Sequence, residues 1–442
     1  MEPVLNLLAL LQPVFFIKVN LKLFGLEVFD AAAIGFSSIL MLAFAIRAAL
    51  LKSIRLSPLD MLIVGFVVWC VAVYVIYIEK SFLKEVVKLT LPLLAYVMAK
   101  NILSDRAAYR RMLQFMIVGF TLPVLLSGTL TAMGQGVEHV SYWTKIPRYE
   151  GIYRGTHNMG HNMGLVVMLM VVYRTIIPEP ASGTPRVSRA WMSFCVGLGG
   201  VALYCLFHAR VRTTMLGLLA FMVVYLYYVN RKLLFVGAAV LAISVPILMP
   251  SVVANMFYDV AKVVSGEWEF GKLGSNRLNI WWRNIVRYGE LPIDRQIGGV
   301  GIGNKTDLFK KLDSLGELSD DFEPDNFRNS HNDYLEMMIQ TGLVGFLLFI
   351  TVQILLYQRV RRLIGHDRYV FLALFWAVFV MNILSNSYVT RFGLATMFYL
   401  VMTYVEIPER QANVQQDLVT REDNDAKLLS PRHRPTSGDR AV

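Results

Sequence analysis

The chain has 442 residues, 55% of them hydrophobic and only 17% charged, with a formal net charge of +11. Soluble domains carry about 25% charged residues, and here the apolar residues come in blocks near the ~20 that one membrane span needs. A soluble globular protein and a nucleic-acid binder are thereby excluded, and the surplus of Lys and Arg is the kind that orients a polytopic membrane protein.

Apolar runs predict spans at 3–17, 28–46, 57–77, 86–103, 112–133, 159–177, 191–208, 213–229, 233–250, 334–357, 369–386 and 392–407. That is an all-α membrane protein with about twelve helices. Every second loop is basic: Arg47, Lys52 and Arg55; Lys100, Arg106, Arg110 and Arg111; Arg174, Arg186 and Arg189; Arg231 and Lys232; Arg359, Arg361, Arg362 and Arg368. The positive-inside rule places those loops, and both termini, in the cytoplasm. The first apolar block lacks the basic n-region and cleavage site of a signal peptide. Cys70, Cys195 and Cys205 all lie inside apolar blocks, where a thiol serves as a small packing residue.

The domain reading follows. Residues 1–250 carry nine spans and a loop near 134–158, and residues 251–333 form a large helical loop on the opposite side from the basic loops. Residues 334–407 carry three more spans, and 408–442 are a polar, disordered cytoplasmic tail. In a diderm bacterium the face with the two long loops is periplasmic.

That face holds arginines where orientation alone does not want them: Arg148, Arg154, Arg210, Arg212, Arg277, Arg283, Arg287, Arg295, Arg328 and Arg391. "FHARVRTT" puts two of them in a short link between adjacent spans. A guanidinium is preferred where planar, bidentate contact to phosphate or carboxylate is needed. Pairing with loop acids or lipid headgroups accounts for some; together they suggest a polyanionic ligand at this membrane surface.

The same face delivers "RNSHNDYLE" directly to the start of a span. Ser330 and Asp333 have the spacing of a capping box, and either Ser330 or Asn332 is expected to cap the helix. Capping requires neither His331 nor Glu336. A neutral imidazole at a helix N-terminus suits a general base, with Asp333 or Glu336 to orient the ring; the alternative is a surface histidine on a loop. His157 and His161 in "GTHNMGHNMG" have i,i+4 spacing, but no third metal ligand stands near and no HExxH is present. They are read as shaping the polar end of a span, and His208 as a partner of the arginines. No phosphate-binding loop, dinucleotide fingerprint or DxD site is present, so a reaction here must bring its own activated bond.

These stretches resemble one bacterial family. "RNSHNDYLEMMIQTGLVGFLL" is similar to the signature of the O-antigen ligase and Wzy-type polymerase superfamily through Ser330, His331, Asn332, Leu335, Glu336, Gly342 and Gly345. Ser275, Arg277, Trp281, Gly299, Gly301 and Gly303 resemble a second family stretch. Arg148 and Gly151 resemble a third, and Arg210 or Arg212 resembles the arginine of a fourth. The resemblance implies a GT-C-like, metal-independent, inverting glycosyltransferase of the bacterial inner membrane with no cofactor. It would move a glycan from undecaprenyl diphosphate to a sugar hydroxyl on lipid A–core (ligase) or on a second lipid-linked glycan (polymerase), with a chain-length regulator as a further partner. By this reading His331, oriented by Asp333 or Glu336, is the base, and Arg210, Arg212 and Arg277 hold the diphosphate. Arg148, Arg154, His157, Arg328, Asn332 and Trp281 contact substrate, although Trp281 and Trp282 also suit a membrane boundary. The competing class is a lipid-linked glycan carrier, which would show paired repeats and midplane charges; neither is visible in the sequence.

Overall fold

The computed structural model describes residues 1–18, 22–23, 26–51, 56–77, 83–140, 147–176, 188–237, 239, 257–258, 260–267, 273–303, 330–386, 388 and 391–407. Arg328, the end of the predicted span at 233–250, most of the large loop and the tail from 408 lie outside the described residues. The architecture is α-helical. In chain order the helices are α1 (Glu2–Leu11), α2 (Val28–Leu51), α3 (Pro58–Ile76), α4 (Leu83–Ile102), α5 (Arg106–Ala132), α6 (Thr156–Thr175), α7 (Arg189–Ala209) and α8 (Arg212–Val229). After them come α9 (Leu273–Glu290), α10 (Ile293–Gly298), α11 (Asp333–Arg362), α12 (Gly365–Leu384) and α13 (Phe392–Met402).

Six of these, α3, α5, α7, α8, α11 and α12, are long and apolar enough to cross a membrane. They coincide with the predicted spans at 57–77, 112–133, 191–208, 213–229, 334–357 and 369–386. The predicted spans at 3–17, 86–103, 159–177 and 392–407 are also helical, but each falls short in length or apolarity among the described residues. The polar content of α4 and α6 has a physical reason. Lys100 of α4 and His161 of α6 face the protein interior, where Ser57 and Asp60 on one side and Thr214 on the other supply partners.

α12 packs along α8, α6 along α7, α13 along α4, α11 along α3 and α1 along α5. Buried apolar residues of these helices form one continuous core. The predicted loop at 134–158 contains an antiparallel pair, β1 (Val137–Val140) and β2 (Pro147–Tyr149), which the sequence reading did not anticipate. Cys70, Cys195 and Cys205 are buried free thiols, as their apolar surroundings predict.

The two ends of the bundle differ. At one end, the buried Lys100 ammonium pairs with the buried Asp60 carboxylate and donates to Ser57 Oγ at 3.2 Å. Nearby Glu406 accepts from Tyr96 Oη at 2.5 Å and from Arg359. Buried ion pairs persist when both charges are hydrogen-bonded, and here they clamp α3, α4 and α11 to the segment after α13. The opposite end holds the start of α11, the α7–α8 link and the start of α6.

Candidate functional site

Helix ends of α6, α7, α8 and α11 meet at that opposite end. α7 stops at Arg210, whose backbone is left-handed (φ 54°, ψ 38°) and whose N–H donates to Leu206 O at 3.2 Å. α8 restarts at Arg212 two residues later. Before α11, His331 is also left-handed, at φ 50°. Among the described residues these are the two non-glycine positions with positive φ. An L residue is held there only where its surroundings over-determine it, a condition that gathers at functional sites.

The residues on either side of His331 are held by hydrogen bonds. Asn332, not Ser330, caps α11: its Oδ1 accepts from the N–H of Tyr334 and Leu335 at 3.0 and 3.1 Å. Ser330 is instead tied to Glu336, whose Oε2 accepts from Ser330 Oγ at 2.7 Å and from Ser330 N–H at 3.2 Å. The other carboxylate oxygen of Glu336 accepts from Gln340 Nε2 at 2.8 Å. Trp281 on α9 donates its indole N–H to Ser330 O at 2.9 Å. Ser330 is thus held from three sides, and His331 is carried by what holds it. Trp281, expected at substrate or at the membrane boundary, has its polar atom committed to this loop, while Trp282 is exposed.

Asp333, the expected partner of Ser330 in a capping box, serves a different contact. Its Oδ2 accepts from the Tyr388 N–H at 2.6 Å, and its charge acts on Arg391. Arg391 Nε donates to Asn158 Oδ1 at 2.7 Å, and its Nη1 donates to Asn386 O at 2.8 Å. Burial lowers the Arg391 pKa to about 10 and Asp333 opposes the shift, so the guanidinium keeps its charge at neutral pH. Arg391 therefore joins α6 to the α12–α13 link, and Asp333 joins that link to α11.

His157 sits inside this assembly, where it feels the charges of Arg391, Arg148, Arg277 and His331. Arg277 reaches from α9 to the carbonyl of Leu384 at the end of α12. Arg148 on β2 donates to Ala209 O at 3.4 Å, beside Arg210. Arg210 Nη1 is buried with no hydrogen-bond partner among the described residues. Burial lowers the pKa of Arg210 below the ordinary arginine value, and Tyr149 opposes that shift. His161 has both ring nitrogens engaged, at 2.7 Å from Thr214 Oγ1 and 3.4 Å from Ser385 Oγ. His208 is set against the rings of Tyr149 and Tyr204, with Nδ1 2.9 Å from Tyr204 O. Arg154 lies in the turn before α6, its carbonyl accepting from Asn158 Nδ2 at 3.2 Å.

The glycine-rich "GGVGIG" docks onto α11. Gly342 breaks the helix with φ 69° and ψ −178°. Val300 N–H donates to Ile339 O at 3.0 Å, Gly301 N–H to Gln340 O at 3.3 Å and Gly303 N–H to Gln340 Oε1 at 3.2 Å. Gln340 thus links this loop to Glu336 and through it to the His331 loop.

Asn158 and Gln340 were not singled out in the sequence, and Arg391 was noted only among the arginines of that face, without a role of its own. Arg391 carried the signal that marked Arg210 and Arg212, an arginine in a short link on the face opposite the basic loops. Asn158 and Gln340 are polar residues at helix ends with nothing local to distinguish them.

These features define a polytopic α-helical membrane protein with a cationic, histidine-bearing site at one end of its bundle. Residues 187–350 match the family model described as O-antigen ligase, and over this stretch the chain carries the domain of the O-antigen ligase and Wzy-type polymerase superfamily. The matched segment includes Arg210, Arg212, Arg277, His331, Asp333 and Glu336. Comparison with curated proteins gives no match.

Proposed function

We propose that the protein is a glycosyltransferase that takes a glycan from undecaprenyl diphosphate and attaches it to a sugar hydroxyl at the periplasmic face of the inner membrane. The observation that carries this reading is the meeting of the His331 loop, the Arg148-bonded Arg210 turn and Arg391 at one end of the bundle, inside a chain whose residues 187–350 match the O-antigen ligase family. In the step itself the acceptor oxygen attacks the anomeric carbon opposite the diphosphate. A new C–O bond forms, the C–O bond to the diphosphate breaks, and the anomeric centre inverts. The hydroxyl proton passes to His331, and the bonding electrons leave with the diphosphate.

Preorganised guanidinium groups stabilise charge that develops on a leaving group. Arg210 supports this role best, because its Nη1 is buried and has no hydrogen-bond partner among the described residues. Arg212 flanks it, Arg148 bonds the Ala209 carbonyl beside it, Arg277 adds a further cation at the end of α12, and Arg154 and Arg328 contact the glycan. Asp333 and Glu336 act as positioning residues: Glu336 fixes Ser330, and Asp333 fixes the link that carries Arg391. The donor brings its own activated bond, so the chemistry draws on no nucleotide. The reading includes a twelve-span, GT-C-like body, with residues 251–333 as the periplasmic loop and 408–442 as the cytoplasmic tail.

The test uses purified full-length protein in liposomes with synthetic undecaprenyl-diphosphate glycan and either lipid A–core or more lipid-linked glycan. Product on lipid A–core identifies a ligase, and a ladder of longer lipid-linked glycans identifies a polymerase. Either product is lost in His331→Ala and Arg210→Ala. Full activity in His331→Ala removes the proposed base, and absence of transfer to both acceptors refutes the reading.

A further inference from the structure

α9 and α10 are two-sided. Their inner side makes a small core in which Trp281 and Tyr288 pack with Leu291, Val300, Leu335 and Ile339. The outer side exposes Trp282 (68%), Ile285 (50%), Val286 (40%), Ile293 (69%) and Ile297 (45%). On a 3.6-residue period Trp282, Ile285 and Val286 share one side of α9, and the exposed Arg283 and Glu290 lie along one flank. A continuous apolar face of this kind on a water-facing surface marks a binding surface.

Two independent rulers give its depth. The first is α11, a membrane-spanning candidate that begins at Asp333. The segment just after α10 is bonded through the Val300 and Gly301 N–H groups to Ile339 O and Gln340 O, six to seven residues in, or about 10 Å at 1.5 Å per residue. The next outward residues of α11, Leu343 and Leu347, are exposed like lipid-facing positions. The second is α3, another membrane-spanning candidate, which ends at Tyr77. Arg295 of α10 lies over the Tyr77 ring at 4.1 Å. Trp69 donates to Thr341 O at 2.8 Å, which sets the α11 kink about 12 Å along α3 from its end. The outward side of that stretch of α3, Val71, Val75 and Ile76, is also exposed and apolar.

We propose that the α9–α10 hairpin is seated in the bilayer. Its Trp282–Ile285–Val286–Ile293–Ile297 face is covered by acyl chains of the leaflet at the site's end of the bundle, with Arg283 and Glu290 at headgroup level. An amphipathic helix in the interfacial plane buries its apolar face about 5–10 Å into that boundary, in keeping with both rulers. The helix that fixes the His331 loop through Trp281 is then itself a membrane element.

The test places single cysteines at Val286 and Ile293, with Val71 as lipid reference and Gln135 as water reference. Each is labelled with the environment-sensitive fluorophore NBD in full-length protein in phosphatidylcholine vesicles. The unsubstituted protein gives the labelling background of its three buried thiols. The expected result is loss of emission at Val286 and Ile293 with shallow doxyl-phosphatidylcholine, to the extent seen at Val71, and little loss with iodide. Iodide quenching equal to that at Gln135 overturns the proposal by showing a water-facing hairpin. Protection from both quenchers overturns it by showing a protein cover, including a second copy of the chain. Trp282→Phe gives a readout free of labels: it should remove part of the tryptophan emission quenched by brominated lipid, and an unchanged quenchable fraction overturns the proposal.

Discussion

Replacing Gly342 by alanine tests how the site is braced. Gly342 has φ 69° and ψ −178°, a region open to glycine alone. A Cβ there would meet Ile297 O, Gly299 N and Ile297 C, the last at 2.5 Å. All three are backbone atoms, so relief requires the "GGVGIG" segment to retreat by about 1 Å from α11, enough to weaken close-packed contacts and hydrogen bonds. The backbone strain alone costs about 1–3 kcal/mol. The three N–H donors that Val300, Gly301 and Gly303 send to α11 would stretch, at about 0.5–1.5 kcal/mol each. The sum, roughly 3–7 kcal/mol, is comparable to the whole stability of many domains. Gly200→Ala is the control, because a Cβ there meets nothing within 4 Å on an α-helix. It should be neutral or stabilising by up to about 1 kcal/mol. Thermal unfolding of both variants in one detergent compares them directly. A Gly342→Ala midpoint equal to that of Gly200→Ala would refute the bracing argument.

Arg391→Met should destabilise by about 3–5 kcal/mol, because it removes the cation whose charge acts with buried Asp333 and the donor to half-buried Asn158. Adding Asp333→Asn should cost much less than the sum of the two single changes in a thermal-unfolding double-mutant cycle, and strict additivity would separate the two residues. Glu336→Ala should strip Ser330 of a buried acceptor at about 1–3 kcal/mol. It should also slow glycan transfer steeply while Glu336→Gln, which keeps an acceptor oxygen, retains part of the rate; equal rates in the two variants would contradict a positioning role. At the far end, Lys100→Met strands the buried Asp60 carboxylate and should cost about 3–5 kcal/mol. There Asp60→Asn with Lys100→Met should recover most of the midpoint, and the KM for donor should stay at the wild-type value in whatever protein remains folded.

The spans were legible in the sequence because length and apolarity decide them. α3, α5, α7, α8, α11 and α12 needed no tertiary information. α4 and α6 were less secure for the reason that makes them useful, since Lys100 and His161 are satisfied by other helices. The site was legible as residue types but not as contacts. Arg210 and Arg277 were marked by charge on the disfavoured face, and His331 by a polar motif at a span start in which capping does not need it. Local spacing then misassigned the roles around them. Ser330 and Asp333 sit three apart, as a capping box requires, yet Ser330 pairs six residues along with Glu336 and Asp333 pairs 55 residues along with Tyr388. Asn332 takes the cap because its side chain reaches two N–H groups at once. Trp281 shows the same limit, because an indole beside a membrane reads as a boundary anchor until its N–H is found on Ser330.

The left-handed turns at Arg210 and His331 put activity and folding in opposition at two single positions. Asparagine and glycine occupy that backbone region with less strain than arginine or histidine. A mutational library sorted for folded protein alone would therefore drift at these codons toward the small residues and lose chemistry as it gained stability. One sorted for glycan transfer would be held to side chains that the turns disfavour. The disagreement between the two selections would locate the reacting groups without any knowledge of the substrate.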